Sequence, residues 1–172
     1  MKTQEAINLI KPAIPISNEP QIWADLGCRT GVFTNALANL LPIGSLIFAI
    51  DAQSQNLQKT MGNVSIDFIK ADFEKSDFEF SDLDGILMAN SLHFVKDKSS
   101  LIHRLEKYLS QNKKIVIVEY DTKSANQWVS FPICFSDLKT LFMNHQFNEI
   151  EKIGEQKSIF GQGDLYVANI QL

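Results

Sequence analysis

The sequence predicts an α/β domain built on a doubly wound, largely parallel sheet. Three observations carry that expectation. Short apolar, β-rich runs alternate with helix-period segments along most of the chain. The later runs are apolar almost throughout, as strands covered on both faces are. The chain then closes on two strand-like segments with no helical pattern between them.

Taken in order, Thr3–Ile10 has helical spacing and stops ahead of Pro12. The run 22–26 reads as the first strand and leads straight into a glycine-bearing turn. Phe33, Ala36, Leu37, Leu40 and Leu41 then recur at i, i+3, i+4, i+7 and i+8, and Pro42 with Gly44 ends that helix. A second strand follows at 46–50, a short helix around Leu57 and Met61, and a third strand at 66–69. The run 85–89 is the fourth strand. Leu101, Leu105, Tyr108 and Leu109 form the next helical stripe, with Asp97 or Ser99 available to cap it. The fifth strand, 114–119, opens into an aperiodic loop over 122–135 that carries Trp128, Phe131 and Pro132. Leu138, Leu141 and Phe142 make a helix behind Ser136, and 147–154 with 164–172 form an antiparallel hairpin at one sheet edge.

Composition narrows the function. A chain of 172 residues, 45% apolar and 21% charged, is one domain with enough core to need no disulfide or metal. Its net charge of −4 argues against a nucleic-acid partner, and no polybasic or long apolar segment offers a membrane anchor. Residues 1–20 lack the apolar core of a signal peptide. Cys28 and Cys134 lie far apart with no CxxC, so no metal cluster is expected, and a reducing, cytoplasmic location fits.

In doubly wound sheets, ligands bind beyond the carboxyl ends of the strands. The first strand ends in Asp25-Leu26-Gly27-Cys28-Arg29-Thr30-Gly31, whose glycines suit a tight turn and close backbone approach of a ligand. That spacing is not the G-x-G-x-x-G of nicotinamide cofactors, which disfavours an oxidoreductase. Asp51 ends the second strand and Asp72 follows the third. Three acids at successive strand ends suggest a nucleoside-bearing, partly cationic ligand and disfavour a polyphosphate.

These residues resemble the motifs of class I S-adenosylmethionine-dependent methyltransferases. Asp25 to Gly31 resembles the family's motif I, often D-L-G-C-G-T-G; Asp51 resembles its second acidic motif, and Ala71-Asp72-Phe73 its third. Asn90-Ser91-Leu92-His93-Phe94 resembles the end of its fourth-strand motif, and the similarity runs over nearly the whole chain. The resemblance implies a single domain over 1–172 with a Rossmann-like seven-stranded sheet, order 3-2-1-4-5-7-6 and strand 7 antiparallel. It implies S-adenosyl-L-methionine as cofactor. Gly27, Cys28 and Gly31, with Asp25 nearby, would surround its methionine portion. Asp51 would bind the ribose, with Ala52 or Gln53 near the adenine. Asp72 would accept from the adenine amino group under Phe73, and Asn90 would approach the methionine end.

Arg29 departs from motif I, which has glycine there. Its side chain either points to solvent, reaches a carboxylate, or marks a degenerate site in a cofactor-binding regulatory or scaffold protein. The turn after the fourth strand lacks the [D/N/S]-P-P-[Y/F] motif of amino-methylating nucleic-acid enzymes, so a small-molecule acceptor is expected. His93 is the candidate base, and Tyr120 and Asp121 are candidate acceptor contacts beside the aromatic loop. Segment 10–16, within residues 1–20, is a candidate lid. The acceptor's identity and the oligomeric state stay open.

Overall fold

The computed structural model describes residues 1–112, 114–157 and 163–172. The strands are β1 (Ile22–Leu26), β2 (Leu46–Asp51), β3 (Thr60–Met61), β4 (Val64–Lys70), β5 (Gly85–Ala89), β6 (Ile115–Tyr120), β7 (Glu149–Gln156) and β8 (Leu165–Gln171). The α-helices are α1 (Thr3–Ile10), α2 (Val32–Ala38), α3 (Lys98–Leu105) and α4 (Phe135–Asn144). Among the described residues the strands form one sheet in the order β3-β4-β2-β1-β5-β6-β8-β7. The five from β4 to β6 run parallel, while β3, β8 and β7 each pair antiparallel. Without the two-residue β3, this is the expected order with the penultimate edge strand reversed. The order reverses between β1 and β5, so the crevice belongs at their carboxyl ends.

Both sheet faces are covered. On one, α1 and α2 bury Ala6, Ile10, Ala36 and Leu37 against β1, β2 and β6. On the other, α3 and α4 bury Leu101, Leu105, Leu138 and Phe142 against β5, β6 and β8. Trp23 of β1 is fully buried and donates its indole N–H to Gln21 Oε1 at 2.8 Å. A Cβ on Gly85 of the neighbouring β5 would lie 2.5 Å from the Trp23 ring, so the glycine makes room for that ring. Truncating such a residue to alanine costs about 3–5 kcal/mol.

The short helix expected around Leu57 and Met61 is absent. Met61 and Val64 pair across a two-residue Gly62-Asn63 turn, with Gly62 at φ +59°, forming a small hairpin. The turn's preference for positive φ outweighs a helical pattern resting on only two apolar residues. Leu57 instead packs on the glycine turn after β1. Of the two candidate caps for α3, Asp97 does the work, accepting from the Ser100 N–H at 3.0 Å.

No helix joins β4 to β5; Phe78 and Phe80 cover the sheet there. Their rings stack at 4.8 Å, Phe80 stacks on Phe48 of β2 at 4.8 Å, and both meet Tyr108 edge-on. Arg104 of α3 donates to the carbonyls of Phe73, Glu74 and Ser76, which fixes the turn after β4 against α3. Among the described residues no helix is long and apolar enough to cross a membrane.

Candidate functional site

A cleft of about 1060 Å³ opens at the carboxyl ends of the parallel strands, where the order reverses. Gly27 and Arg29 enter it from the turn after β1, Asp51 from the last position of β2 and Ala52 just beyond it, and Asp72 and Phe73 from the turn after β4. Asn90 and His93 follow β5, Tyr120 ends β6, and Trp128 and Val129 come from the loop that follows.

The turn after β1 is held from both sides. Gly27 has φ +82° and donates its N–H to the Ile50 carbonyl at 2.8 Å; a Cβ there would lie 2.5 Å from that of Ser91. Ser91 Oγ donates in turn to the Leu26 carbonyl at 2.6 Å. Arg29 has φ +46°, a left-handed conformation that costs a non-glycine residue about 1–2 kcal/mol. Its N–H donates to Asp51 Oδ2 at 2.8 Å, a charge-assisted bond that offsets part of the cost. The Gln53 N–H donates to Asp51 Oδ1 at 2.8 Å. Each carboxylate oxygen thus receives one backbone donor and keeps capacity for a ligand hydroxyl.

Asp72 accepts from Lys75 Nζ at 2.7 Å and from the Glu74 N–H at 3.0 Å. The Lys75 hydrogen bond is the main cause holding its carboxyl below the usual carboxylate range. Asn90, at φ +54°, is a second strained residue in the cleft, and its buried Oδ1 has no hydrogen-bond partner. Such an atom is costly to leave unpaired unless a ligand donor reaches it.

His93 is 4% exposed and pairs with Glu119 of β6, which is 1% exposed. Its Nδ1 lies 2.7 Å from Glu119 Oε2, and its backbone N–H donates to Oε1 at 3.0 Å. The geometry suits Nδ1–H donating to the carboxylate, the tautomer in which a neutral imidazole carries its free lone pair on Nε2. Sequence reading passed over Glu119. A lone acid at the end of the apolar run Ile-Val-Ile-Val is a detectable signal, because such strands seldom hold an unpaired charge. The 122–134 loop is tied to the same turn: the Phe131 N–H donates to the His93 carbonyl at 2.8 Å, and Lys98 Nζ donates to the carbonyls of Val95 and Phe131.

Four expected site residues lie outside the cleft lining. Asp25 sits beneath the turn, 1% exposed, accepting from Thr34 Oγ1 at 2.6 Å. Burial pushes its carboxyl up to about 7, with Asp51 adding to the rise and the Thr34 bond opposing it. Cys28 is buried beside it, and burial raises its thiol above the ordinary range. Gly31, at φ +80°, lies under Leu57, whose Cδ2 would sit 2.7 Å from a Cβ there. Asp121 caps α4, accepting the Phe135 N–H at 3.0 Å, and bonds Lys152 at 3.0 Å. Burial raises its carboxyl, but those two donors outweigh it and hold the group low. Ile10, Ala13 and Ile14 of segment 10–16 pack on the sheet side bearing α2, and no residue before Gly27 lines the cleft. Among the described residues no cluster of three or more His, Cys, Asp or Glu is placed to hold a metal ion.

The fold and this cleft define a doubly wound domain with a cleft lined by Asp51, Asp72 and Asn90 at its switch point. A family model described as a methyltransferase domain matches residues 24–117, from β1 into the first half of β6, and the chain belongs to that family. No curated protein matches it by sequence. Solved structures do match in fold. One is the 1,6-didemethyltoxoflavin N1-methyltransferase of Burkholderia thailandensis, with its substrate and S-adenosylhomocysteine bound (TM-score 0.73, 15% identity, 98% of this chain and 77% of that one). Another is the magnesium protoporphyrin IX methyltransferase of Synechocystis, with S-adenosylmethionine bound (0.67, 13%, 98% and 77%). A third is a possible histamine N-methyltransferase of Thermotoga maritima (0.70, 14%, 98% and 88%). The cofactor implied by the sequence resemblance agrees with these matches.

Proposed function

We infer that the protein is an S-adenosylmethionine-dependent methyltransferase acting on a small molecule. The observation that carries this is the convergence of Asp51, Asp72, Asn90 and His93 on one cleft within a methyltransferase-domain chain. The residues present fit the cofactor. Asp51 keeps acceptor capacity for ribose hydroxyls, and the charged Asp72 for an adenine amino group beside Phe73. The orphaned Asn90 Oδ1 suits an ammonium donor near the glycine turn. When bound, the cofactor supplies a methyl group on a sulfonium, and the carbon–sulfur electron pair leaves with sulfur as S-adenosylhomocysteine.

The chain's own contribution is to orient the acceptor, exclude water and hold a proton. His93 Nε2 is the base, and Glu119 keeps its lone pair directed away from Nδ1. A small acceptor is supported by the acidic net charge of −4 and by the named acceptors of the structural neighbours, a didemethyltoxoflavin and a metalloporphyrin. The reading as a binding protein without turnover rests on Arg29. Its backbone N–H donates to Asp51 Oδ2 at 2.8 Å, which supports a turn still shaped for ligand despite the missing glycine.

Calorimetric titration with S-adenosylhomocysteine tests the assignment. Micromolar to submillimolar binding is expected, weakened at least several-fold by Asp51→Ala. A folded protein that takes up no ligand at millimolar concentration overturns it.

A further inference from the structure

The cleft changes chemistry along its length. It crosses from β4 through β2, β1 and β5 to β6, about 19 Å at the usual ~4.8 Å strand spacing. Asp72 and Asp51 stand at the β4 and β2 end. The β5 and β6 end is lined instead by Phe94, Tyr120, Trp128 and Val129 beside His93. No residue from those two strand ends or the 122–134 loop brings an Asp, Glu, Lys or Arg side chain to the lining. Glu119 is buried against His93, and Lys98 is spent on two backbone carbonyls.

An anionic acceptor would find no fixed cation at this end and would lose its hydration uncompensated; a cationic one would find aromatic faces but no free carboxylate to neutralise it. The end offers aromatic faces. Trp128 is 66% exposed and Phe94 47%, large apolar rings left open to solvent at the mouth of the cleft. Its polar side chains include Gln127 of the loop, His93 and Tyr120. Among the described residues, neither His93 Nε2 nor the Tyr120 hydroxyl makes a hydrogen bond. Burial and the nearby Glu119 charge keep that phenol protonated, so it is a donor.

We propose that the acceptor is an uncharged, planar aromatic compound bearing an acidic ring O–H or N–H, held among Phe94, Tyr120 and Trp128 with that proton directed at His93 Nε2. The inference rests on the methyltransferase reading and narrows its substrate class. In transfer, the acceptor's O–H or N–H bond breaks, its proton goes to Nε2, and its electron pair forms the bond to the methyl carbon as the carbon–sulfur bond breaks and its pair stays on S-adenosylhomocysteine. The products are a neutral methyl ether or N-methyl ring and an imidazolium that later returns its proton to water. Tyr120 donates to a ring carbonyl or nitrogen, which fixes the plane.

The test uses protein saturated with S-adenosylhomocysteine and three probes: 7-hydroxycoumarin, 2-naphthol and benzotriazole. Binding of at least one is expected, and bound 7-hydroxycoumarin should show more of its anion absorption band than the free probe at the same pH. His93→Gln should abolish that spectral change. Trp128→Ala, at an exposed position, should weaken probe binding about tenfold, the size of a lost stacking contact, while S-adenosylhomocysteine affinity stays unchanged. Putrescine and benzoate should not bind. The proposal is overturned if S-adenosylhomocysteine binds but none of the three probes does, if putrescine or benzoate binds in their place, or if both variants behave as wild type. Loss of S-adenosylhomocysteine binding in the wild-type protein would instead overturn the methyltransferase reading itself.

Discussion

Replacing Asp25 with asparagine should change how stability depends on pH. In the folded protein this carboxyl is wholly buried and raised from 3.8 to about 7, chiefly by burial. The unfolded chain releases the proton near pH 4 and the folded chain holds it until near pH 7. Between those values the folded state binds more protons, so stability is full below pH 4 and falls as pH rises through 7. At about 1.4 kcal/mol per pKa unit, the loss across the interval is about 4 kcal/mol, a large part of the 5–15 kcal/mol of a typical domain. The other shifted aspartates act elsewhere. Asp72, Asp77, Asp97, Asp121 and Asp137 are all lowered, so their contribution is lost only as pH falls below the ordinary carboxylate range. Asparagine keeps an acceptor for Thr34 Oγ1 but cannot ionise. Urea unfolding of both proteins from pH 4.5 to 8 gives the comparison. The wild-type free energy should decline relative to the variant by several kcal/mol over that range. Parallel profiles would show that Asp25 ionises normally in the fold, and the burial argument would fail.

Three further outcomes follow from the cleft. Arg29→Gly removes a left-handed strain of about 1–2 kcal/mol and adds glycine's backbone entropy cost of about 0.5–1 kcal/mol. The melting temperature should therefore rise by roughly 1–3 °C for a chain of this size, and a fall would mean that the arginine side chain stabilises the fold. Gly27→Ala places a methyl against Ser91 in a residue at φ +82°; calorimetry should show S-adenosylhomocysteine binding lost or weakened more than tenfold. Glu119→Gln keeps an acceptor for His93 Nδ1 but removes the charge that stabilises the protonated ring. With an identified acceptor, kcat should fall about tenfold to hundredfold with KM little changed; an effect confined to KM would make Glu119 a binding residue only.

The order of elements was legible because its signals are local. Ile22–Leu26 and Gly85–Ala89 were readable to the residue, since both are short apolar runs that end at a turn. Thr3–Ile10 was equally clear from its apolar spacing and the proline beyond it. The region 53–64 was misread because two apolar residues four apart imitate a helix, and only the pairing of Met61 with Val64 decided between helix and hairpin. Asp121 and Asp25 show the same limit within the site. Each stands at or just past a strand end as the expected ligands do, yet Asp121 turns to cap α4 and Asp25, the fourth residue of β1, turns beneath the glycine loop to Thr34.

By itself, the sequence determined the alternation of strands and helices, the glycine turn after β1 and the acids at successive strand ends. These depend on residues close together in the chain. Tertiary structure alone decided which of those acids face the cleft, that Arg29 takes a left-handed conformation secured by Asp51, and that Glu119 orients His93 from 26 positions away. The physical reason is that a side chain's direction and protonation are set by what packs on it from neighbouring strands, and no local pattern records that neighbour.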